Sequence, residues 1–459
     1  MKKLFFVWLT AFFYAIGPLS GQTFSSSLSP SPPADLPYEI LPMDRGVFAI
    51  SVDKVRREVH YFFSDEDFKI KNSGKFSLED YSVSILPKVK DDKAYVIFNF
   101  LSTQNSQKIL MIVDSNTGER SFIPINNYAM SDIDDFYILE NSIAMVGLYN
   151  QNLNMVQFVN FKNSNQEPYT INLEMKIFDI VESDGYLDIL ASSQMGKTIN
   201  KLQLITINEQ GEKLYTIDAD TGLGKNELIK SAYLQKTEDG SFRAVGIYST
   251  SRKNHFSGYF HWDMDYSLNQ AFVRHPATSL QGLSKGDNKK INRQIKYELT
   301  KGFSIVKVLE ENGQLAIVSA PNMGYAYQKK YPRIYKNELF HVLYIGEDGI
   351  KLWDKTFALH RSLRSPYVNP GFIKNPPMYM INGNVYFLYH QEFTHSPSLI
   401  VHNINADIKY SADELSFTIP GTAQLYKTTK YKDNEIIVYG LKENWPVEQN
   451  FFFSKIPLY

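Results

Sequence analysis

The sequence predicts an all-β protein built as a β-propeller of about eight four-stranded blades. Three observations predict it. The chain is rich in aromatic residues, with 31 Phe and 30 Tyr among 459 residues, a payload suited to strands and a large core. From Tyr38 onward, short β-branched and aromatic runs alternate with turn residues, and no long segment keeps a helical period. A tight turn between two such runs recurs eight times.

The turns are Asp44-Arg45-Gly46, Asp91-Asp92, Glu140-Asn141, Asp184-Gly185, Asp239-Gly240, Asn312-Gly313, Asn382-Gly383 and Asp433-Asn434. Asp-Gly and Asn-Gly tolerate the positive φ of a type I′ hairpin turn. Their spacings are 46, 49, 44, 55, 73, 70 and 51 residues. Within a unit, two strands flank the turn and two more follow, as in SAYLQKTEDGSFRAVGIYS and then GYFHWDMDYSLNQAFV. A repeat of this length with four short strands, A to D, is the signature of a propeller blade. A second turn joins strands C and D at 114–118 (DSNTG), 208–211 (NEQG) and 346–349 (GEDG). Its Asp and Asn residues suit turn chemistry better than calcium, because no carboxylate-rich loop surrounds them. The nearest calcium-like string, Asp218 to Gly222, lacks the glycine and the terminal acid such a loop needs.

The last unit stops after its third strand, at FFFSKIPLY. A segment before Tyr38 is expected to supply the missing outer strand. Seven blades is the alternative, if the first hairpin does not form its own blade.

Residues 1–21 read as a signal peptide. Lys2 and Lys3 precede a 13-residue apolar run from Leu4 to Ile16, then Gly17, Pro18, Ser20 and Gly21, with cleavage before Gln22. Leu19 fits the small-residue rule at the cleavage site poorly, and an uncleaved anchor is the other reading. The run is shorter than the ~20 residues a membrane span needs, so no span is expected in the mature chain. Residues 22–37 are Ser- and Pro-rich, an arm or linker, and 38–459 form the propeller domain. The chain has no cysteine, which excludes disulfides, thiolate metal sites and cysteine nucleophiles. The expected location is outside the cytoplasm: periplasm, outer surface or extracellular.

The string TEDGSFRAVGIYSTSRKNHFSGYFHWDMD at 237–265 resembles the propeller repeats of exported bacterial proteins, which run "DGG-apolar-G-Y-S" and then turn through "DGxxxW". GEDGIKLWDKTF at 346–357 is the nearest match to that turn. The resemblance covers about residues 130–400. The whole chain is similar to secreted propeller proteins of Bacteroidetes to which no activity is attached. It implies the fold and leaves function open, since propellers host enzymes, binders and scaffolds.

In a propeller, the A–B and C–D turns lie on one face, and the B–C and D–A loops lie on the other with the mouth of the channel. Three long excursions fall on that second face and on adjacent blades: 274–302, 320–338 and 359–377. Loops of this length in a compact domain usually carry function. Their net charges are +5 up to residue 296, +4 before Glu338, and +3, in a chain whose total is −1. The candidate ligand-binding residues there are Arg274, Lys289, Lys290, Arg293, Tyr325, Tyr327, Lys329, Lys330, Tyr331, Arg333, Tyr335, Arg361, Arg364 and Tyr367. Arg and Lys pair with sulfate, carboxylate or phosphate, and aromatic rings stack on sugars. The expected partner is an envelope protein or an anionic polysaccharide. Export makes nucleic acid an unexpected one. Solvated loops with Tyr packed on their own blade are the plain alternative.

No Gly-x-Ser-x-Gly elbow, His-Glu-x-x-His helix or dinucleotide glycine pattern is present, and no cofactor or metal is expected. SSQMGKT at 192–198 lacks the first glycine of a phosphate loop, Ala191 standing in its place. His390, His395 and His402 have the residue type for zinc but no spacing that puts them on one side. His255 and His261 are similar. Asp263 and Asp265 occupy a C–D turn, and Asp132, Asp134 and Asp135 precede an A strand. The enzymatic alternative is a lyase or hydrolase acting on an acidic polysaccharide, drawing on His275, His360, Tyr325, Tyr331, Arg333 and Arg361. A non-catalytic binding or assembly module is the reading preferred to it.

Overall fold

The protein is described from a computed structural model, which covers residues 23–24, 33, 36–78, 83–100, 108–125, 132–149, 153–162, 169–173, 175–183, 185–192, 201–237, 240–250, 255–265, 267, 269–284, 302–321, 334–363, 377–391, 398–404, 415–418, 422–432, 434–444 and 448–458. The signal-peptide segment lies outside the described residues. So do 193–200, with most of the phosphate-loop-like string.

The strands form eight four-stranded antiparallel sheets, so eight blades stand and the seven-bladed alternative falls. β1 (Thr23–Phe24) belongs to the last sheet. β2 (Glu39–Met43), β3 (Gly46–Asp53), β4 (Glu58–Ser64) and β5 (Ile70–Ser77) make blade 1. Blade 2 is β6 (Val83–Lys90), β7 (Lys93–Phe100), β8 (Lys108–Asp114) and β9 (Arg120–Ile125). Blade 3 is β10 (Asp132–Ile138), β11 (Ser142–Tyr149), β12 (Leu153–Asn160) and β13 (Tyr169–Leu173). Blade 4 is β14 (Lys176–Ser183), β15 (Tyr186–Ser192), β16 (Gln203–Asn208) and β17 (Lys213–Asp218). Blade 5 is β18 (Glu227–Lys236), β19 (Phe242–Thr250), β20 (Phe256–Met264) and β21 (Gln270–Pro276). Blade 6 is β22 (Phe303–Glu311), β23 (Gln314–Pro321), β24 (Ile334–Ile345) and β25 (Lys351–Leu363). Blade 7 is β26 (Met378–Ile381), β27 (Asn384–Gln391), β28 (Ser398–Ile404) and β29 (Leu415–Thr418). Blade 8 is β30 (Thr422–Lys432), β31 (Glu435–Asn444) and β32 (Glu448–Pro457), completed by β1 on its outer edge.

Five of the expected A–B turns lie wholly among the described residues, at 44–46, 91–92, 140–141, 312–313 and 382–383, and join first and second strands, while Asp184, Asp239 and Asp433 of the other three lie outside them. Asn312 and Gly313 have φ of 51° and 72°, and Asn382 and Gly383 repeat those values, the paired positive φ of a type I′ turn. The C–D turns are held by their own side chains. Asp114 Oδ1 accepts the amides of Asn116 and Thr117, and Asn208 Oδ1 accepts those of Gln210 and Glu212. That local use accounts for these Asp and Asn residues without a cation.

The second strands are buried along nearly their whole length, as in GVFAISVD of β3 and FRAVGIYST of β19, because each is covered on both faces by neighbouring blades. The core therefore lies between blades. Phe48, Tyr61 and Phe63 of blade 1 pack with Val96, Phe98 and Met111 of blade 2, and the pattern repeats around the ring. At the seam, Tyr38 meets Phe62 and Phe451 edge to face at 5.3 and 5.1 Å, joining blade 1 to blade 8. Thr23 and Phe24 pair with Ser454 and Phe453, so the first strand closes the last blade.

Gly46 ends the first turn at φ +124°, and a Cβ there would lie 1.9 Å from the Ser64 carbonyl oxygen. Gly46→Ala is expected to cost at least about 2 kcal/mol of stability, read as a lowered urea midpoint.

Three expectations need correction. Residues 334–338 and 359–363 belong to strands rather than loops, because β24 and β25 pair with each other as far as Ile334 and Leu363. Asp132, Asp134 and Asp135 lie within β10 rather than before it. The 274–302 excursion opens with the end of β21, then a 3₁₀ turn (Ala277–Ser279) and one helical turn (Gln281–Ser284). Among the described residues no helix is long and apolar enough to cross a membrane.

Candidate functional site

The mouth face of blade 6 differs from that of the other blades. β23 pairs with β24 only as far as Ser319 opposite His341. Beyond that row, β24 and β25 continue alone, from Phe340 opposite Phe357 to Ile334 opposite Leu363. β22 and β23 end two rows further on, at Phe303 opposite Pro321, so at ~3.4 Å per residue the ribbon from 338 to 334 reaches about 17 Å past its blade. Its register sets Lys336 directly opposite Arg361, and Tyr335 opposite Ser362.

Of the expected site residues, Tyr335 and Arg361 thus come to one ribbon. Arg274 lies on β21 and is engaged within its own surroundings. Its guanidinium donates to Glu227 at 2.6 Å, sits 4.6 Å from the Tyr248 ring centre and is one-third exposed. It anchors the base of this face. Lys289, Lys290, Arg293, Tyr325, Tyr327, Lys329, Lys330, Tyr331, Arg333, Arg364 and Tyr367 lie outside the described residues.

The channel is lined by the first strands, most of which neighbour the first strand of the next blade. As inner edges they present unpaired backbone groups. Charged side chains from adjacent blades satisfy many of them. Lys90 donates to the Ile138 carbonyl at 2.6 Å, and Lys307 to that of Met378 at 2.9 Å. Glu182 accepts the Ile138 amide at 2.7 Å, Asp179 that of Leu234 at 2.8 Å, and Glu311 that of Gly383 at 2.9 Å. Lys88 pairs with Asp135 at 3.0 Å. Burial lowers the ammonium pKa of Lys176, Lys230 and Lys307 and raises the carboxyl pKa of Asp179. A cavity of about 530 Å³ opens from this wall between Lys307, Glu310, Tyr379, Thr428 and Lys430. The mixed charges bind the ring to itself, which is a structural use.

Catalytic residue types also meet between blades 5 and 6, in a chain the sequence did not reveal. Tyr259, His261 and Asp263 alternate along β20, and the apolar Phe260, Trp262 and Met264 fall between them. The Tyr259 hydroxyl bonds His341 Nδ1 at 2.8 Å and also contacts Ser319 Oγ. His341 Nε2 lies 3.5 Å from Asp354, whose carboxylate accepts the amides of Gln281 and Gly282. His261 Nδ1 lies 3.0 Å from His275 Nε2. Arg243 donates to Asp263 at 2.5 Å and to the carbonyls of Gly313, Gly346 and Glu347, gripping both turns of blade 6. Burial, with His261 and Lys351 nearby, holds the His275 pKa down at about 4. Burial also lowers His261 and His341. The Asp354 carboxyl is held at about 2, its His341, Lys351 and backbone hydrogen bonds outweighing burial. Tyr259, Ser319 and His341 are completely buried, so substrate has no access, and the cluster acts as an inter-blade clamp.

Other candidates resolve in the same way. Asp265 accepts the backbone and side-chain N–H of Asn269, as its turn position implied. The register sets His390 opposite Leu399 and His402 opposite Phe387, positions three residues apart along β27. His395 lies outside the described residues. No group of three or more potential metal ligands occurs among the described residues.

No family model and no curated protein matches the chain. Among solved structures, it is similar to the polysaccharide lyase Uly1, with 11% identity over 81% of this chain and 89% of that one and a TM-score of 0.44. The β-propeller domain of the Trilobed protease from Pyrococcus furiosus is similar at 9% identity, over 82% and 95% of the two chains, with a TM-score of 0.40. A member of the duf4221 family from Bacteroides vulgatus is similar at 10% identity, over 81% and 100%, with a TM-score of 0.36. Likeness at this level assigns no activity to the chain.

Proposed function

We propose that this protein is an exported, non-catalytic binding or assembly module of the bacterial cell envelope. It contacts a protein or an anionic glycan through the mouth face of blades 5 to 7. One observation carries the reading: the blade-6 ribbon extends past its sheet and sets Lys336 and Arg361 in facing positions. The flanking segments add Lys329, Lys330, Arg333 and Arg364, with Tyr325, Tyr327, Tyr331 and Tyr367, to the same stretch of chain. Such a surface suits carboxylate or sulfate groups carried on a polymer.

The experiment sets residues 22–459 against acidic and neutral polysaccharides and against envelope extract. Retardation by acidic glycans, or capture of an acidic envelope protein, is expected to weaken with salt. It is also expected to fall at least about ten-fold in a variant carrying Arg333→Glu and Arg361→Glu. Unchanged affinity and unchanged salt dependence in that variant would overturn the reading. Ultraviolet absorbance from unsaturated products would replace it with a lyase. His275, one residue type such an enzyme would use, is buried against His261.

A further inference from the structure

A second cavity, of about 320 Å³, lies at the ring seam, away from the ribbon. Its walls come from three blades: Pro37, Tyr38 and Ile50 from the first, Val83 and Ile85 from the second, Tyr439 and Gly440 from the eighth. Tyr38, Ile50, Val83 and Tyr439 are buried, so the interior is apolar. The volume sits at the small end of ligand-sized cavities, which run about 300–1,000 Å³.

The polar groups lie at the rim. Lys427 pairs with Glu39, and the Tyr439 hydroxyl donates to Glu39 at 3.4 Å. Glu39 is thereby already committed. Lys54, on the turn after β3, also lines the cavity and makes no ion pair with any described residue. Among the described residues the rim carries two ammonium groups and one carboxylate, and with Lys427 paired to Glu39 the uncompensated charge over the apolar interior is Lys54.

We infer that this seam cavity is a binding site for a small amphipathic monocarboxylate, with its apolar body against Ile50, Val83 and Tyr439 and its carboxylate at Lys54 and Lys427. Uncharged apolar ligands lose the rim contact, and a second carboxylate meets Glu39. The site is independent of the ribbon, so either can fail without the other. Because its walls join blades 1, 2 and 8, an occupant stabilises the closed ring by binding only the folded state.

The test uses 3-phenylpropionate as probe and 3-phenylpropanamide as its neutral counterpart, by calorimetry and thermal unfolding of residues 22–459. The acid is expected to bind with a Kd of about 1 mM or tighter and to raise the midpoint. The amide is expected to bind at least about five-fold more weakly, and Lys54→Gln to remove that difference. Val52 lines the cavity and is only partly buried, so Val52→Trp fills it from the rim and is expected to abolish binding. If that variant does not fold, Ile85→Phe makes the same test. No binding of the acid at 10 mM (about ten times the expected Kd), equal affinity for acid and amide, or binding that survives both filling variants would each overturn the inference.

Discussion

Replacing Arg243 by alanine is expected to destabilise the protein by about 2–3 kcal/mol, the cost of leaving its carbonyl partners and a partly exposed carboxylate without a buried charged donor. The guanidinium is almost wholly buried and reaches Asp263 together with three carbonyl oxygens of blade 6. Removing it leaves those oxygens without this donor at the join between two blades. Arg243→Lys is expected to recover little, because one ammonium cannot span the directions a planar fork serves. Asp263→Asn keeps an acceptor at the same place and is expected to cost less. The measurement is the urea midpoint, with amide exchange followed at the turns around Gly313 and Gly346. Faster exchange there, ahead of the rest of the ring, is the expected signature. A variant with an unchanged midpoint and unchanged exchange would show that the blades hold together without this residue.

The second large effect is acid lability. His275 is held at about 4, against 6.5 for a free imidazole. The unfolded chain therefore takes up the proton first as pH falls. Stability from the neutral imidazole is fully present above pH 6.5 and is lost progressively between about 6.5 and 4. The loss from this one group is up to about 3 kcal/mol. His261 and His341 act in the same direction, each lowered by burial. Lys351 opposes protonation of His275, and Asp354 favours it. Asp354 contributes in a lower window, its stabilisation being lost as pH falls from 3.8 toward about 2. Urea midpoints measured from pH 7.5 to 4 should fall steadily, and His275→Phe should flatten that fall. A profile level across the range, or unaltered by the substitution, would contradict the buried-imidazole account.

The blades were legible in the sequence because their turns are local. Asn312-Gly313 and Asn382-Gly383 state a type I′ geometry in two adjacent residues, whatever the rest of the chain does. The ribbon was not legible. Strand or loop at Tyr335 and Arg361 depends on register partners 27 and 25 positions away, Ser362 and Lys336, and basic, Tyr-rich composition reads equally as loop. The buried clamp was hidden for a similar reason: Tyr259 and His341 are 82 positions apart, and Tyr259 and Ser319 are 60 apart. One local signal pointed toward it. Tyr259, His261 and Asp263 keep a period of two against Phe260, Trp262 and Met264, so polar groups occupy one whole face of a strand with apolar neighbours on the other. In an inner strand of a propeller, both faces meet other blades, so a polar face there requires partners from the next blade.

Most strand pairs join neighbours in sequence, and each blade from the first to the seventh can form from a short stretch of chain. The seam is the exception. Glu39 meets Tyr439 across 400 positions and Lys427 across 388, while Thr23 pairs with Ser454. Loop closure over such separations is what slows the folding of non-local topologies. If the seven local blades form first, the encounter of the two ends of that open arc is expected to limit the rate of reaching the native state. The same join, where the described residues hold the outer strand by two residue pairs, is expected to be where the ring first breathes open.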